Sequence, residues 1–70
     1  METARKLRRY LAIQETYRYI IVSSGDMARG LSMGYIKGEI ARLMPEESQR
    51  TIQRAISHKP ITEEQIGRLG

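Results

Sequence analysis

The segment that indicates the fold most clearly is residues 38–59, GEIARLMPEESQRTIQRAISHK. In its first half and just before it, apolar side chains recur at helical spacing. They form one stripe: Ile36, Ile40, Leu43 and Met44, with Ala41 beside them. Pro45 ends this helix, because the residue before a proline is pushed out of the α region. Ser48 then offers a side-chain oxygen that can cap a second helix, so the stretch predicts two short helices joined by a turn.

The second predicted helix has an apolar face and a polar face. Ile52, Ala55 and Ile56 form the apolar stripe, and the opposite face is polar at 100° per residue. The polar face carries Arg50, Gln53, Arg54 and Ser57, with Gln49 on its flank. Arginine and glutamine are residue types that reach base edges in a DNA major groove. This helix is therefore a candidate for insertion into a groove.

Residues 39–43 (EIARL) and 50–56 (RTIQRAI) resemble the helix-turn-helix of bacterial, phage and plasmid regulators, winged members included. By this resemblance, Ala41 is the small residue where the two helices touch, and Ile52 is the branched plug of the recognition helix. The resemblance implies sequence-specific binding of double-stranded DNA by a small transcriptional regulator, for example a repressor. The base-reading set is then Gln49, Arg50, Gln53, Arg54 and Ser57.

The turn departs from the family pattern, and it supports a second interpretation. Residues 45–48 are one residue longer than the common turn and lack its usual glycine. Glu46 and Glu47 place two carboxylates beside the expected phosphate track, which they would repel. The alternative is an ordinary pair of antiparallel helices with a solvated arginine face.

Length and composition set the limits of the fold. Seventy residues predict one domain, residues 1–70, and a chain of this size is marginally stable alone. The chain has no cysteine, so disulfides and thiolate metal sites are excluded. The net charge of +4 favours an anionic partner. No apolar run approaches a membrane span and no secretory signal is visible, so a cytoplasmic location is expected.

Residues 1–22 predict one long helix, which Thr3 can cap. Its apolar arc spans more than half of the circumference, whereas packing on a single core needs about 100°. A second copy could cover the excess, which predicts a homodimer. The predicted dimer interface is Tyr10, Ile13, Tyr17 and Ile20. The alternative is a helix that lies at the centre of its own monomer.

Basic side chains near both predicted helices are candidates for phosphate contacts. The basic cluster of residues 5–9 at the start of the long helix has two interpretations. It is either an ordinary solvated helix start or an arm that contacts phosphates. The predicted phosphate-binding set is Arg42, Lys59, Arg5, Lys6, Arg8 and Arg9.

The remaining segments predict short elements. Residues 23–26 read as a break, where Ser23 or Ser24 caps a short helix. Residues 32–34 read as a turn, and residues 35–37 are either extended or the first turn of the next helix. Thr62 and Gln65 form a capping box for a terminal helix, which gives a terminal unit of residues 62–69 with Ile66 and Leu69 turned inward. The predicted fold is all-α: a small helical domain with a helix-turn-helix, a long N-terminal helix and little or no β-wing.

The side chains show no catalytic pattern. His58 is the only histidine, and at a helix end it predicts a carbonyl cap or a phosphate contact. We therefore expect no enzyme, no cofactor and no metal, and no small-molecule ligand is evident from the sequence. The rival to DNA binding is a small helical inhibitor or adaptor of a protein partner, which the tyrosines of the first helix favour, since tyrosine is enriched at interfaces.

Overall fold

A long helix lies at the centre of the fold. The computed structural model describes residues 3–69, and its first helix, α1, runs from Ala4 to Ser24. Thr3 caps it as predicted, with its side-chain oxygen 3.2 Å from the backbone nitrogen of Lys6. Residues 1 and 2 of the predicted range lie outside the described residues, and the helix continues past the predicted end at residue 22.

A glycine ends α1. Gly25 has a φ of 57°, in the region that glycine adopts without steric cost. A 3₁₀ helix, Gly25–Gly30, follows directly. The prediction of a serine cap here was wrong for Ser24, because its hydroxyl donates to the carbonyl oxygen of Ile20 at 2.8 Å instead of capping the 3₁₀ helix.

The second helix, α2, runs from Met33 to Leu43 and begins earlier than predicted. Ser32 caps it by accepting a hydrogen bond from the backbone nitrogen of Tyr35 at 3.1 Å. Residues 32–34 are therefore not a separate turn. Residues 35–37, for which the sequence allowed either an extended segment or the first turn of a helix, are helical. α2 ends before Pro45, as predicted.

Helices α3, Gln49–Ser57, and α4, Glu63–Leu69, start at their predicted caps. The Ser48 hydroxyl accepts from the backbone nitrogen of Thr51 at 3.2 Å. Thr62 and Gln65 form the capping box, since each backbone nitrogen donates to the other side chain, at 3.0 and 3.2 Å. Residues 3–69 contain no β-strand, so this part of the chain is all-α and carries no wing.

The core lies between α1 and the other helices. α2, α3, α4 and the 3₁₀ helix each pack on α1, and α2 also packs on α3. Four isoleucines are the most deeply buried large side chains: Ile13, Ile40 and Ile52 are 0 % exposed and Ile66 is 1 % exposed. The other buried residues are Leu7, Tyr10, Leu11, Ile20, Ile36, Ala55 and Ile61.

The wide apolar arc of α1 is covered within one chain. Tyr10, Ile13 and Ile20 are 6 %, 0 % and 7 % exposed, and Tyr17 is half-buried. The predicted dimer interface is therefore wrong for the three buried side chains, because helices of the same chain already cover them. The alternative of a central helix is the one observed, and burial no longer requires a second copy.

Two leucines predicted to face the core are exposed. Leu43 is 44 % exposed, and Met44, the next residue, packs against the core instead. Leu69 is 53 % exposed, because α4 packs only on α1 and Ile66 makes that contact. The prediction that either leucine turns inward was wrong.

Candidate nucleic-acid interface

The outer face of α3 is exposed over its whole length. Ile52 and Ala55, both 0 % exposed, hold the opposite face against the core. This anchoring directs the polar residues outward, as the helical spacing predicts. All five predicted base-reading side chains are exposed: Gln49, Arg50, Gln53, Arg54 and Ser57. The structure therefore brings this set together on one surface, which we call the α3 polar face.

The α3 polar face carries two arginines without an ionic partner among residues 3–69. Arg50 and Arg54 are one helical turn apart, and neither forms an ion pair with a described carboxylate. Like charges at this spacing destabilise a helix by a few tenths of a kcal/mol. An anion bound to both guanidinium groups would remove this repulsion.

The turn before α3 differs from the sequence-based expectation. The carboxylate of Glu47 lies 3.0 and 3.2 Å from one guanidinium nitrogen of Arg9, in α1. The Glu47 side chain is only 7 % exposed, so it does not face solvent as a free anion. Glu46 is the turn carboxylate that stays exposed. Of the two glutamates expected to repel phosphates, only Glu46 therefore remains an exposed carboxylate.

Two of the predicted phosphate-binding residues lie close to α3. Arg9 forms an ion pair with Glu47, which lies in the turn before α3. The ammonium of Lys6 lies 5.5 Å from the ring centre of Tyr10. The Tyr10 ring also contacts His58, the residue after α3, with the ring centres 5.5 Å apart in an edge-to-face arrangement. Arg9 is therefore linked to the turn before α3 through Glu47, and Lys6 to the residue after α3 through Tyr10.

His58 is the C-cap residue of α3, and its ring contacts the next residue of the chain. Nδ1 lies 2.8 Å from the carbonyl oxygen of Lys59, which agrees with the predicted carbonyl contact. Lys59 itself is exposed immediately after α3. Its position at the helix end keeps it a candidate for a phosphate contact.

The other three predicted phosphate contacts are placed differently. Arg42 pairs with Glu39 one turn earlier in α2, at 2.8 Å. Arg8 lines a small groove with the carboxylates of Glu15 and Glu63, on the side of α1 that faces α4. Arg5 is exposed on α1. The structure therefore associates Arg9, Lys6 and Lys59 with α3 more directly than Arg8.

Neither a scan against protein-family models nor searches of curated proteins and of solved structures find a match for this chain. Within residues 3–69, no three His, Asp or Glu side chains are placed to hold a metal ion. In the same range, no helix combines the length and the apolar character needed to cross a bilayer.

A glutamine that the sequence analysis missed holds the end of α3. The Gln14 side-chain nitrogen donates to the carbonyl oxygen of Ala55 at 3.0 Å. The same nitrogen lies 3.4 Å from the carbonyl oxygen of His58 and 3.2 Å from that of Lys59. The side-chain oxygen accepts from the backbone nitrogen of Ile61 at 3.0 Å. One side chain thus makes hydrogen bonds to backbone groups at the end of α3 and in the segment that follows it.

The sequence contains a signal for this role. At 100° per residue, Gln14 falls between Leu7 and Ile21, inside the apolar arc of α1. A polar side chain in an apolar arc is buried only with hydrogen-bond partners. The position therefore predicts a buried polar contact, although it does not identify the partner.

Replacing Gln14 by alanine is expected to lower the free energy of unfolding by roughly 1–3 kcal/mol. The carbonyl groups at the end of α3 and the Ile61 amide would lose their common partner. Urea denaturation followed by circular dichroism measures the change, and hydrogen exchange should accelerate at residues 58–61.

The matched control is Gln53→Ala, which removes an exposed glutamine from α3 and should change stability by less than about 0.5 kcal/mol. Equal stability of the Gln14→Ala chain and the wild-type chain would contradict the role assigned to Gln14.

Proposed function

We propose that this chain binds double-stranded DNA in a sequence-specific manner and acts as a small transcriptional regulator. In this proposal, α3 enters the major groove with its polar face toward the bases. Arg50, Gln53 and Arg54 lie between the two ends of the helix and contact base edges. Gln49 and Ser57 are the first and last residues of α3.

One observation carries the proposal. The α3 polar face is exposed, is entirely polar, and holds Arg50 and Arg54 without ion pairs among the described residues. Helix α2 packs on α3 and a turn joins them, which is the relation between the two helices of a helix-turn-helix. Arginine in this setting suits bidentate contacts to guanine.

Phosphate contacts would come from the basic side chains around α3. Lys59 follows the end of α3, and Lys6 lies over the Tyr10 ring that His58 contacts. Arg9 neutralises Glu47 just before the start of α3. Arg9 has further guanidinium N–H groups, so pairing with Glu47 leaves donors for a phosphate oxygen. Arg42 can contribute if its guanidinium releases Glu39 and binds a phosphate instead. These groups would position the protein on the duplex without selecting the sequence.

The test is a titration of labelled duplex with the wild-type chain, followed by fluorescence anisotropy over a range of salt concentrations. The logarithm of the binding constant should fall linearly with the logarithm of the salt concentration, by about 0.9 for each phosphate contacted. Absence of binding to any duplex at low salt, with a folded chain, would overturn the proposal.

A protein-binding adaptor is the second candidate, because a different surface supports it. Tyr19 and Val22 are neighbours on the outer side of α1 and are 65 % and 73 % exposed, and Met27 in the 3₁₀ helix is 74 % exposed. Neighbouring exposed apolar side chains such as Tyr19 and Val22 favour a protein contact. If Val22→Glu abolished binding of a partner while duplex binding was absent in all conditions, this second function would replace the first.

A further inference from the structure

An open groove of about 460 Å³ lies between α1, the start of α2 and the end of α3. Its apolar wall is formed by Tyr17 and Ile21 of α1, Met33 of α2 and Ile56 of α3. This volume is in the range of small-molecule sites. The groove is separate from the α3 polar face, because its α3 wall is Ile56, which does not belong to that face.

The apolar wall of the groove is not fully covered by the chain itself. Tyr17, Ile21 and Ile56 are half-buried, and Met33 is 43 % exposed. A ligand with an apolar body would remove this surface from water, which is the main source of affinity for such sites.

The charged side chain that lines the groove favours a ligand with a negative charge. Arg18 lines it, and none of the residues that line it is a carboxylate. Arg18 forms no ion pair with any of residues 3–69. Tyr17 lines the same groove and makes no hydrogen bond through its hydroxyl within that range, so the hydroxyl can serve as a second donor. An acidic group would therefore meet one cation and one neutral donor.

We propose that this groove binds a small apolar acid: a molecule with an aromatic or aliphatic body and one carboxylate or sulfonate group. The body lies against Tyr17, Ile21, Met33 and Ile56, and the acidic group meets the guanidinium of Arg18. Because Ile56 belongs to α3, the ligand also contacts the end of that helix. The proposal does not depend on DNA binding.

Two probes with the same aromatic body test the proposal. Anilinonaphthalene sulfonate is anionic, and N-phenylnaphthylamine lacks the sulfonate. We expect the anionic probe to bind about tenfold more tightly, because a charge-assisted contact to arginine adds to the same apolar burial. Amide chemical shifts of the ¹⁵N-labelled chain should change at the residues that line the groove and carry an amide N–H: Gln14, Tyr17, Arg18, Ile21, Met33, Ile56 and His58.

Variants of Arg18 separate charge from apolar contact. Arg18→Gln should weaken the anionic probe about tenfold and leave the neutral probe unchanged, whereas Arg18→Lys should keep most of the affinity. Arg29→Gln is the matched control, since Arg29 is exposed on the 3₁₀ helix, which packs on α1 alone, and it should change neither probe.

Three results would overturn the proposal. They are equal affinity for the two probes, an anionic affinity that is unchanged in Arg18→Gln, and chemical-shift changes confined to Tyr19, Val22 and Met27. The last result would indicate that the exposed apolar side chains, rather than the groove, take up the probe.

Discussion

Replacing Ile13 by alanine is expected to unfold a large share of the chain at room temperature. Ile13 is 0 % exposed in the middle of the central helix. Truncating a buried isoleucine costs about 2–5 kcal/mol, because transfer free energy is lost and a cavity remains. A core in a chain this small supplies roughly 3–5 kcal/mol in total, so the loss is comparable with the whole free energy of unfolding. Circular dichroism and urea denaturation measure it.

Two control variants test whether the loss of stability in Ile13→Ala comes from core packing. Ile13→Val removes one methyl group and should cost about 0.5–1.5 kcal/mol, which leaves the chain folded. Val22→Ala changes a side chain of the same helix that is 73 % exposed and should have little effect. A folded Ile13→Ala chain with a reduced oligomeric state would instead support the dimer interface that the sequence suggested.

The double substitution Arg50→Ala with Arg54→Ala is expected to abolish most of the sequence-specific DNA affinity. A bidentate arginine contact is worth about 1–3 kcal/mol of base discrimination. If both arginines hold bases, the double variant should bind a selected duplex between roughly thirtyfold and ten-thousandfold more weakly. The duplex would be selected by the wild-type chain from a randomised pool, and affinity would be measured by fluorescence anisotropy. Both side chains are exposed, so the variant should remain folded.

Two further variants distinguish base reading from general attraction. Lys59→Ala should weaken all duplexes alike and reduce the salt dependence by about 0.9, as expected for one phosphate contact. Arg29→Ala removes the same charge from the 3₁₀ helix and should change binding little. If Arg29→Ala weakened binding as much as the double variant, net charge rather than the α3 polar face would explain the affinity.

The starts of α1, α3 and α4 and the inner face of α3 could be predicted because they depend on neighbouring residues. The caps at Thr3, Ser48 and Thr62 each use a hydrogen bond between residues three apart. Such contacts involve only neighbouring residues, so the local sequence favours them directly. The buried positions Ile52 and Ala55 followed from helical spacing for the same reason.

Contacts between distant residues could not be predicted in the same way. The ion pair of Arg9 with Glu47 joins residues 38 positions apart, and Gln14 reaches residues 41 to 47 positions away. The number of helices that pack on α1 is also a property of the whole chain. For that reason the wide arc around Ile13 suggested a second copy, whereas α2, α3 and α4 cover it.

The central claim, that the α3 polar face contacts duplex DNA, is tested most directly by nuclear magnetic resonance. The ¹⁵N-labelled chain would be titrated with duplex at low salt, and the side-chain N–H signals of Arg50, Gln53 and Arg54 would be followed. We expect these signals to shift first and most, while those of Arg18 and Arg29 stay in place. A folded chain whose α3 side-chain signals do not move, or whose changes fall only outside α3, would contradict the claim.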